Sequence, residues 1–433
     1  MRASVGLAIA WAACGGSAHR TQDASPPDAA TDTLASPTGD APAGAVTIAV
    51  TVGGQQAAHV AVFFQNPDSS VVLAAATDHH GTVGALMPGG GFVTAIEPDD
   101  ATGVIKLVTF AGVAPGDALH LDLAPVDQAS PVLFDLTVPS LSGATGYQVY
   151  TQCGSVIVPA DTATTIQLAG CGANADMLVA AVDDQSRVVG SFFHPAVAIS
   201  SASVVLTDAY DAPTATNFSY TGVPGLATWV KTTQVLYSAH GRLFDNTTGS
   251  VPGVGIASES LAQPSPTTLQ ADTVTDIQPA SNEHGEQLVY DFGGWTGSYA
   301  LDLGPWLLPE YASDAGFDVG SHTITWSESE TGAQADFVRA TVHVYRDAIP
   351  QGTTWAWSII APRATATSVA LPQLPKEQFD FNPKSGDTIT VSDLTNARVP
   401  GGYDAFRANG FTPITSLAAT GKLVLEIPYA PPL

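Results

Sequence analysis

The chain has 433 residues, with 40 acidic against 14 basic side chains and a net charge of −26. So few cations argue against a nucleic-acid partner, since phosphate neutralisation runs through Lys and Arg, and against docking on anionic lipid through a basic face. Hydrophobic residues make up 45% and charged residues 12%, too apolar for a wholly disordered chain, while 41 Gly and 31 Pro favour many turns over long helices.

At the amino terminus Met1-Arg2 carries one positive charge ahead of an uncharged run, Val5 to Ala13. A spanning helix needs about 20 apolar residues, so this run is too short. A charged start, a short apolar stretch and small residues at its end read as an export signal over residues 1–13. Trp11-Ala12-Ala13-Cys14-Gly15-Gly16 resembles the bacterial lipobox, with Trp11 where that pattern carries an aliphatic residue. The resemblance implies a lipid-anchored protein, diacylated on Cys14. With Gly15 rather than Asp after the lipid Cys, it implies the outer membrane or cell surface. Cleavage after Ala12, releasing a soluble exported protein, is the alternative. Each buried methylene contributes about 0.8 kcal/mol, so two or three acyl chains would hold the chain stably on a membrane. Residues 14–44 then read as a disordered tether. Segments such as Ser25-Pro26-Pro27-Asp28-Ala29-Ala30-Thr31-Asp32 have no large apolar side chains to offset the entropy of ordering. At about 3 Å per residue in a Pro-extended chain, the tether reaches on the order of 90 Å.

From residue 45 onward, short alternating runs are separated by Gly, Pro, Asn and Asp clusters, which predicts an all-β protein of tandem sandwiches. In the first segment, 45–124, His59 to Phe64 places Val60, Val62 and Phe64 on one face. Its order is Val46 to Val50, Gly53-Gly54-Gln55, His59 to Val62, Thr77-Asp78-His79-His80-Gly81-Thr82-Val83 and Met87-Pro88-Gly89-Gly90-Gly91-Phe92-Val93. That order of strand, Asp-x-x-Gly turn, strand, Pro-Gly turn and closing strand resembles the carboxypeptidase regulatory-like domain over about 50 residues. The resemblance implies a small Ig-like or transthyretin-like sandwich with no peptidase activity of its own.

The second segment, 125–215, offers strands at Val132 to Val138, Tyr147 to Thr151, Thr165 to Leu168, Leu178 to Val182 and Ser203 to Leu206. Cys153 and Cys171 lie in it, and two cysteines in an oxidising compartment usually pair. A loop of that length would stabilise the fold by roughly 3 kcal/mol. Thr214 to Pro224 reads as a boundary. The third segment, 218–433, reads as one or two further sandwiches. Phe337 to Arg346 alternates Val338, Ala340, Val342 and Val344 against Arg339, Thr341, His343 and Tyr345. Thr353 to Ile360 aligns Trp355, Trp357 and Ile359, and Lys422 to Ile427 aligns Leu423, Leu425 and Ile427. Tyr403 to Asn409 suits a single helical turn.

Chemistry is sparse. There is no Gly-x-Ser-x-Gly elbow, no His-Glu-x-x-His, no Walker loop and no Gly-x-Gly-x-x-Gly after a strand. His79-His80, the loop Glu283-His284-Gly285-Glu286, and His322 and His343 near Glu328 and Glu330 read as polar surface rather than metal ligands. Glu97-Asp99-Asp100 and Asp183-Asp184 are partial oxygen sets for loop calcium, without EF-hand spacing; no other cofactor is expected. Trp295, Tyr299, Trp306 and Tyr311 fall in a Gly- and Pro-broken stretch, where aromatic faces either fill a core or form a platform for sugar rings. These features favour a non-enzymatic, lipid-anchored envelope protein that binds a glycan or another envelope protein. The alternative is an exported glycan- or peptide-active hydrolase with catalysis in 218–433.

Overall fold

The computed structural model describes residues 44–427, apart from 53–54, 98–102, 124–131, 169–172, 200–202, 239–240, 265–269, 280–284, 293–297, 310, 330–331, 348–351, 364–366, 377–378 and 410–420. The export signal expected over 1–13, Cys14, the expected tether up to residue 43, Asp99-Asp100, Cys171, Glu283-His284, Trp295 and Glu330 lie outside the described residues, as does the side chain of Tyr311.

The first segment forms β1 (Ala45–Val52), β2 (Gln55–Gln56), β3 (Ala61–Gln65), β4 (Val71–Ala76), β5 (Thr82–Leu86), β6 (Gly91–Glu97), β7 (Val104–Val113) and β8 (Ala118–Leu123). β1 pairs antiparallel with β2 and β5 and parallel with β8, while β3 lies between β4 and β6, and β6 pairs with β7. The alternation read from the sequence is the packing: Val46, Ile48 and Val50 meet Val60, Val62 and Phe64 in one core. The turn into β5 is set locally. Asp78 Oδ1 accepts from the N–H groups of His80 and Thr82 and from the Thr82 hydroxyl. Gly81 takes a φ of 71°, and a Cβ there would stand 2.5 Å from the Val50 carbonyl oxygen.

The second segment forms β9 (Val132–Thr137), β10 (Gly146–Thr151), β11 (Gly154–Val158), β12 (Thr164–Leu168), β13 (Asn174–Val182), β14 (Val188–Ala198) and β15 (Ser203–Val205). Two sheets, in the orders β11-β10-β13-β14 and β12-β9-β15, enclose a core of their own around Phe134, Leu136, Val149, Met177, Val179 and Phe192.

The third segment forms β16 (Thr214–Thr221), β17 (Ala227–Ser238), β18 (Gly241–Ser250), β19 (Ile256–Gln263), β20 (Gln270–Pro279), β21 (Glu286–Phe292), β22 (Ser298–Asp302), β23 (Tyr311–Asp318), β24 (Thr323–Glu328), β25 (Phe337–Arg346), β26 (Thr353–Pro362), β27 (Ser368–Ala370), β28 (Thr388–Arg398), α1 (Gly402–Asn409) and β29 (Gly421–Ile427). Its strands do not close on themselves. Among the described residues one long sheet runs β18-β17-β20-β21-β29-β28-β25-β26-β7-β6-β3-β4. The first and third segments join where β7 pairs in parallel with β26, Val104 to Phe110 against Thr354 to Ile360.

Three small sheets cover this long one. On one face β1, β2, β5 and β8 share a core with Leu288, Phe292, Leu423 and Leu425 of the third segment. On the other face β16, β19 and β22 pack around Phe218, Tyr220, Leu301 and Val424, and β23, β24 and β27 close over Trp355, Trp357 and Ile359. This two-sided burial explains β25. Val338, Ala340, Val342 and Val344 fill the core as their period predicts, with Arg346 buried at the end of the same row, while on the opposite face Phe337 and Thr341 are buried too and His343 and Tyr345 are exposed. α1 is held against β7 by Tyr403, whose hydroxyl donates to the Ala111 and Ile360 carbonyls, and by Arg407, which reaches Gly112 O and Asp117. No helix among the described residues is long and apolar enough to cross a membrane.

Candidate ligand-binding mouth of the third segment

Strand register changes the character of the long sheet along its length. Val230, Ile277 and Gln287 are register partners on the face covered by β16 and β22, and Thr232, Thr275, Val289, Val424 and Arg398 form the next row. The row beyond is polar throughout: Gln234, Thr273, Asp291 and Lys422. The facing sheet follows suit, with Phe218 and Tyr220 deeper and Thr216 toward the polar end. Thr232 and Tyr220 share a hydrogen bond of 2.6 Å, and Thr275 donates to the same phenol oxygen. Gln234 is 1% exposed, and its Oε1 has no hydrogen-bond partner among the described residues. Burying an amide oxygen without a partner costs about 1–3 kcal/mol, so this end of the sandwich is polar at an energetic cost.

Two of the aromatic residues singled out from the sequence meet here. The Tyr299 hydroxyl donates to Asp291 Oδ2 at 2.8 Å, and Lys422 ion-pairs with the same oxygen. Burial, and then the Asp291 carboxylate, push the Tyr299 phenol well above its ordinary range. Its ring packs on Phe218 and Tyr220, so Tyr299 serves the core and the polar row together. Trp306 sits half-buried in the turn after β22, whose backbone is held by the Trp306 amide N–H donating to Leu303 O at 2.8 Å. Lys422 Nζ lies 5.4 Å from the Trp306 ring centroid and the Arg398 guanidinium carbon 5.0 Å. Arg398 Nη1 donates to Pro305 O at 3.0 Å. The mouth thus combines an indole, two cations and a hydrogen-bonded carboxylate, the inventory that orients a polar ligand with an apolar face. The sequence reading missed Gln234, Asp291, Arg398 and Lys422. The available signal was Thr232 and Gln234 at inward positions between Val230 and Leu236.

Other candidates carry less. A cleft of about 370 Å³ opens where the second segment meets β18, lined in part by Tyr150, Ile157, Asp183, Asp184, Phe244 and Asp245. Asp183 is already engaged: it accepts from the Gln185 and Arg187 N–H groups and from the Arg187 side chain, which hold its carboxyl below the usual range. No group of three or more His, Cys, Asp or Glu that could hold a metal ion occurs among the described residues. His79 and His80 are exposed in the Asp78 turn with ring centroids 3.8 Å apart. His322 takes a left-handed φ of 54° beside Phe317, and burial lowers its pKa. On the other face of β20, Asp276 is 6% exposed and its carboxyl is raised to about 8, first by burial and then by the neighbouring Glu286. Gln278 donates to it at 2.9 Å and Lys231 stands 4.0 Å away.

No family model matches the sequence, and no curated protein matches it. Among solved structures the chain is similar to the Bacillus anthracis TIE protein, at 10% identity over 60% of this chain and 49% of that one, with a TM-score of 0.15. It is similar to a leucine-rich repeat protein from Bacteroides thetaiotaomicron, at 15% identity over 41% and 26% of the two chains and a TM-score of 0.16. It is similar also to BcpA, the major pilin subunit of Bacillus cereus, at 12% identity over 60% and 99% and a TM-score of 0.15. The chain spans about half the length of the first of these. The fold is all-β, built of packed β-sheets, and the functional reading rests on the chemistry of the mouth itself.

Proposed function

We propose that the protein is a lipid-anchored, non-enzymatic envelope protein that binds a saccharide at the polar mouth of its third segment. The observation that carries this reading is Trp306 beside Arg398 and Lys422, with the Tyr299–Asp291 pair behind them. An indole packs against the C–H face of a sugar while carboxylate, ammonium and guanidinium groups meet its hydroxyls. To test it, full-length protein extracted in detergent is titrated calorimetrically with neutral and acidic oligosaccharides. Wild type is expected to bind, and Trp306→Ala to weaken binding at least tenfold, measured at a temperature where its melting transition shows the variant folded. Equal binding by the variant contradicts the site.

Acylation of Cys14, the 14–44 tether and the outer-membrane or surface address belong to the same proposal and rest on the sequence. So does the Cys153–Cys171 disulfide. Gln152 supports it: its side chain donates to Asn174 O and accepts from the Asp176 N–H, holding the Cys153 turn beside a strand that begins three residues after Cys171.

A second reading, an exported hydrolase, is favoured by one observation: Asp276 and Glu286 are neighbouring carboxylates in the third segment, one of them held protonated near neutral pH. Hydrolysis of glycan or peptide substrates, abolished in Glu286→Gln, would establish it; equal activity in wild type and variant removes it.

A further inference from the structure

We propose that the ligand of this mouth carries a carboxylate, as an acidic saccharide does, and that Arg398 selects it. The inference rests on the saccharide reading above and narrows its ligand class.

The argument starts from the ion pairs. Every other described Lys and Arg stands within 4.0 Å of a carboxylate. Arg398 has no such partner among the described residues, in a chain with a net charge of −26.

A recurring arrangement sharpens the point. Arg346 lies 4.9 Å from the Trp355 ring centroid and is closed by Asp387. Arg363 lies 5.3 Å from Trp326 and is closed by Glu328. Arg407 lies 5.4 Å from Tyr403 and is closed by Asp117. Arg398, 5.0 Å from Trp306, repeats the stack without the acid. Its one described hydrogen bond uses Nη1, which leaves donors of the planar fork for a second group. A carboxylate matches that fork through two parallel N–H···O bonds, a geometry an ammonium cannot offer. Arg398 is half-exposed, so an incoming ligand can reach it, and the Trp306 ring beside it limits water on one side. The side chains of Lys422 and Asp291 neutralise each other, so the mouth's uncompensated charge among the described residues is that of Arg398.

The test titrates full-length, detergent-extracted protein with short galacturonate, mannuronate and glucuronate-containing oligosaccharides, each beside its methyl ester. The ester keeps the ring and its hydroxyls and removes only the charge. The expected result is at least tenfold tighter binding of one acid than of its ester. Arg398→Gln is expected to bring that ratio close to one, and Arg398→Lys to restore only part of it, with melting temperatures measured to confirm folding. Equal affinity of wild type for every acid and its ester overturns the role of Arg398 and leaves the saccharide reading standing. Binding to no member of the panel, acid or ester, overturns both.

Discussion

Arg346 shows how single residues hold this fold. Its guanidinium ion-pairs with Asp387, donates to the Asp380 and Asn382 carbonyls, and lies over Trp355. Truncation would strand a buried carboxylate and two carbonyls together, so Arg346→Ala is expected to destabilise by about 3–5 kcal/mol in denaturant titration. A loss below about 1 kcal/mol would mean the pair is solvated. Gly81→Ala is expected to cost about 1–3 kcal/mol, because the left-handed φ and the Val50 carbonyl both oppose a Cβ. Asp276 sets a pH dependence. Its carboxyl titrates near 3.8 when unfolded and about 8 when folded. Between these values the native state holds a proton the unfolded state has released, so its contribution falls as pH rises toward 8. Asp276→Asn cannot ionise, and is expected to flatten the melting-temperature profile above about pH 5. It should also stabilise the protein at about pH 8 by on the order of 1–3 kcal/mol. Parallel profiles for the two proteins would contradict the assignment. Turn residues of this kind were legible in the sequence, because Asp78 and Gly81 act on neighbours within a few positions. Arg346 was not, because its partners lie 34 to 41 residues away.

At the scale of elements, period-two alternation located the strands well where only one face is buried. β1, β3 and β26 as far as Ile359 follow it, and the single helical turn expected at Tyr403 to Asn409 is α1. It said less where both faces are covered, as on β25, where Thr341 is buried on the face read as polar, and on β29, where Val424 is buried between Leu423 and Leu425. The element least legible was the β7–β26 junction, whose partners are about 250 residues apart in sequence. Trp357 anchors it: its ring is fully buried and its Nε1–H donates to Thr109 Oγ1 at 2.8 Å, and Thr109 in turn shares a 2.8 Å hydrogen bond with Thr94 on β6. Trp357→Ala is expected to destabilise by about 3–5 kcal/mol, and Trp357→Phe by less, since the ring volume is mostly kept. Equal losses would show that the hydrogen bond, rather than packing, holds the junction. The candidate mouth was half legible for the same reason. Tyr299 and Trp306 announce themselves as aromatics in a broken stretch, whereas Asp291, Lys422 and Arg398 become neighbours only through register across β21, β29 and β28.

Over the whole molecule, the shared sheet ties the first and third segments into one structure, while the second has a core of its own. Residues 218–433 expressed alone would expose the apolar face of Leu288, Phe292, Leu423 and Leu425, and are expected to aggregate or bind hydrophobic dye. Residues 125–215 are expected to unfold cooperatively. A soluble, cooperatively folding 218–433 fragment would contradict the shared core. The proposed anchor and tether would hold this body on the order of 90 Å from the membrane at about 3 Å per residue, with its acidic surface solvated and its mouth free to meet ligand. The most direct measurement is the intact mass of the protein from its native membrane fraction, with and without reductant. The account predicts a chain beginning at acylated Cys14 that gains a pair of hydrogens on reduction of Cys153–Cys171; a soluble, unacylated chain cleaved after Ala12 would contradict it.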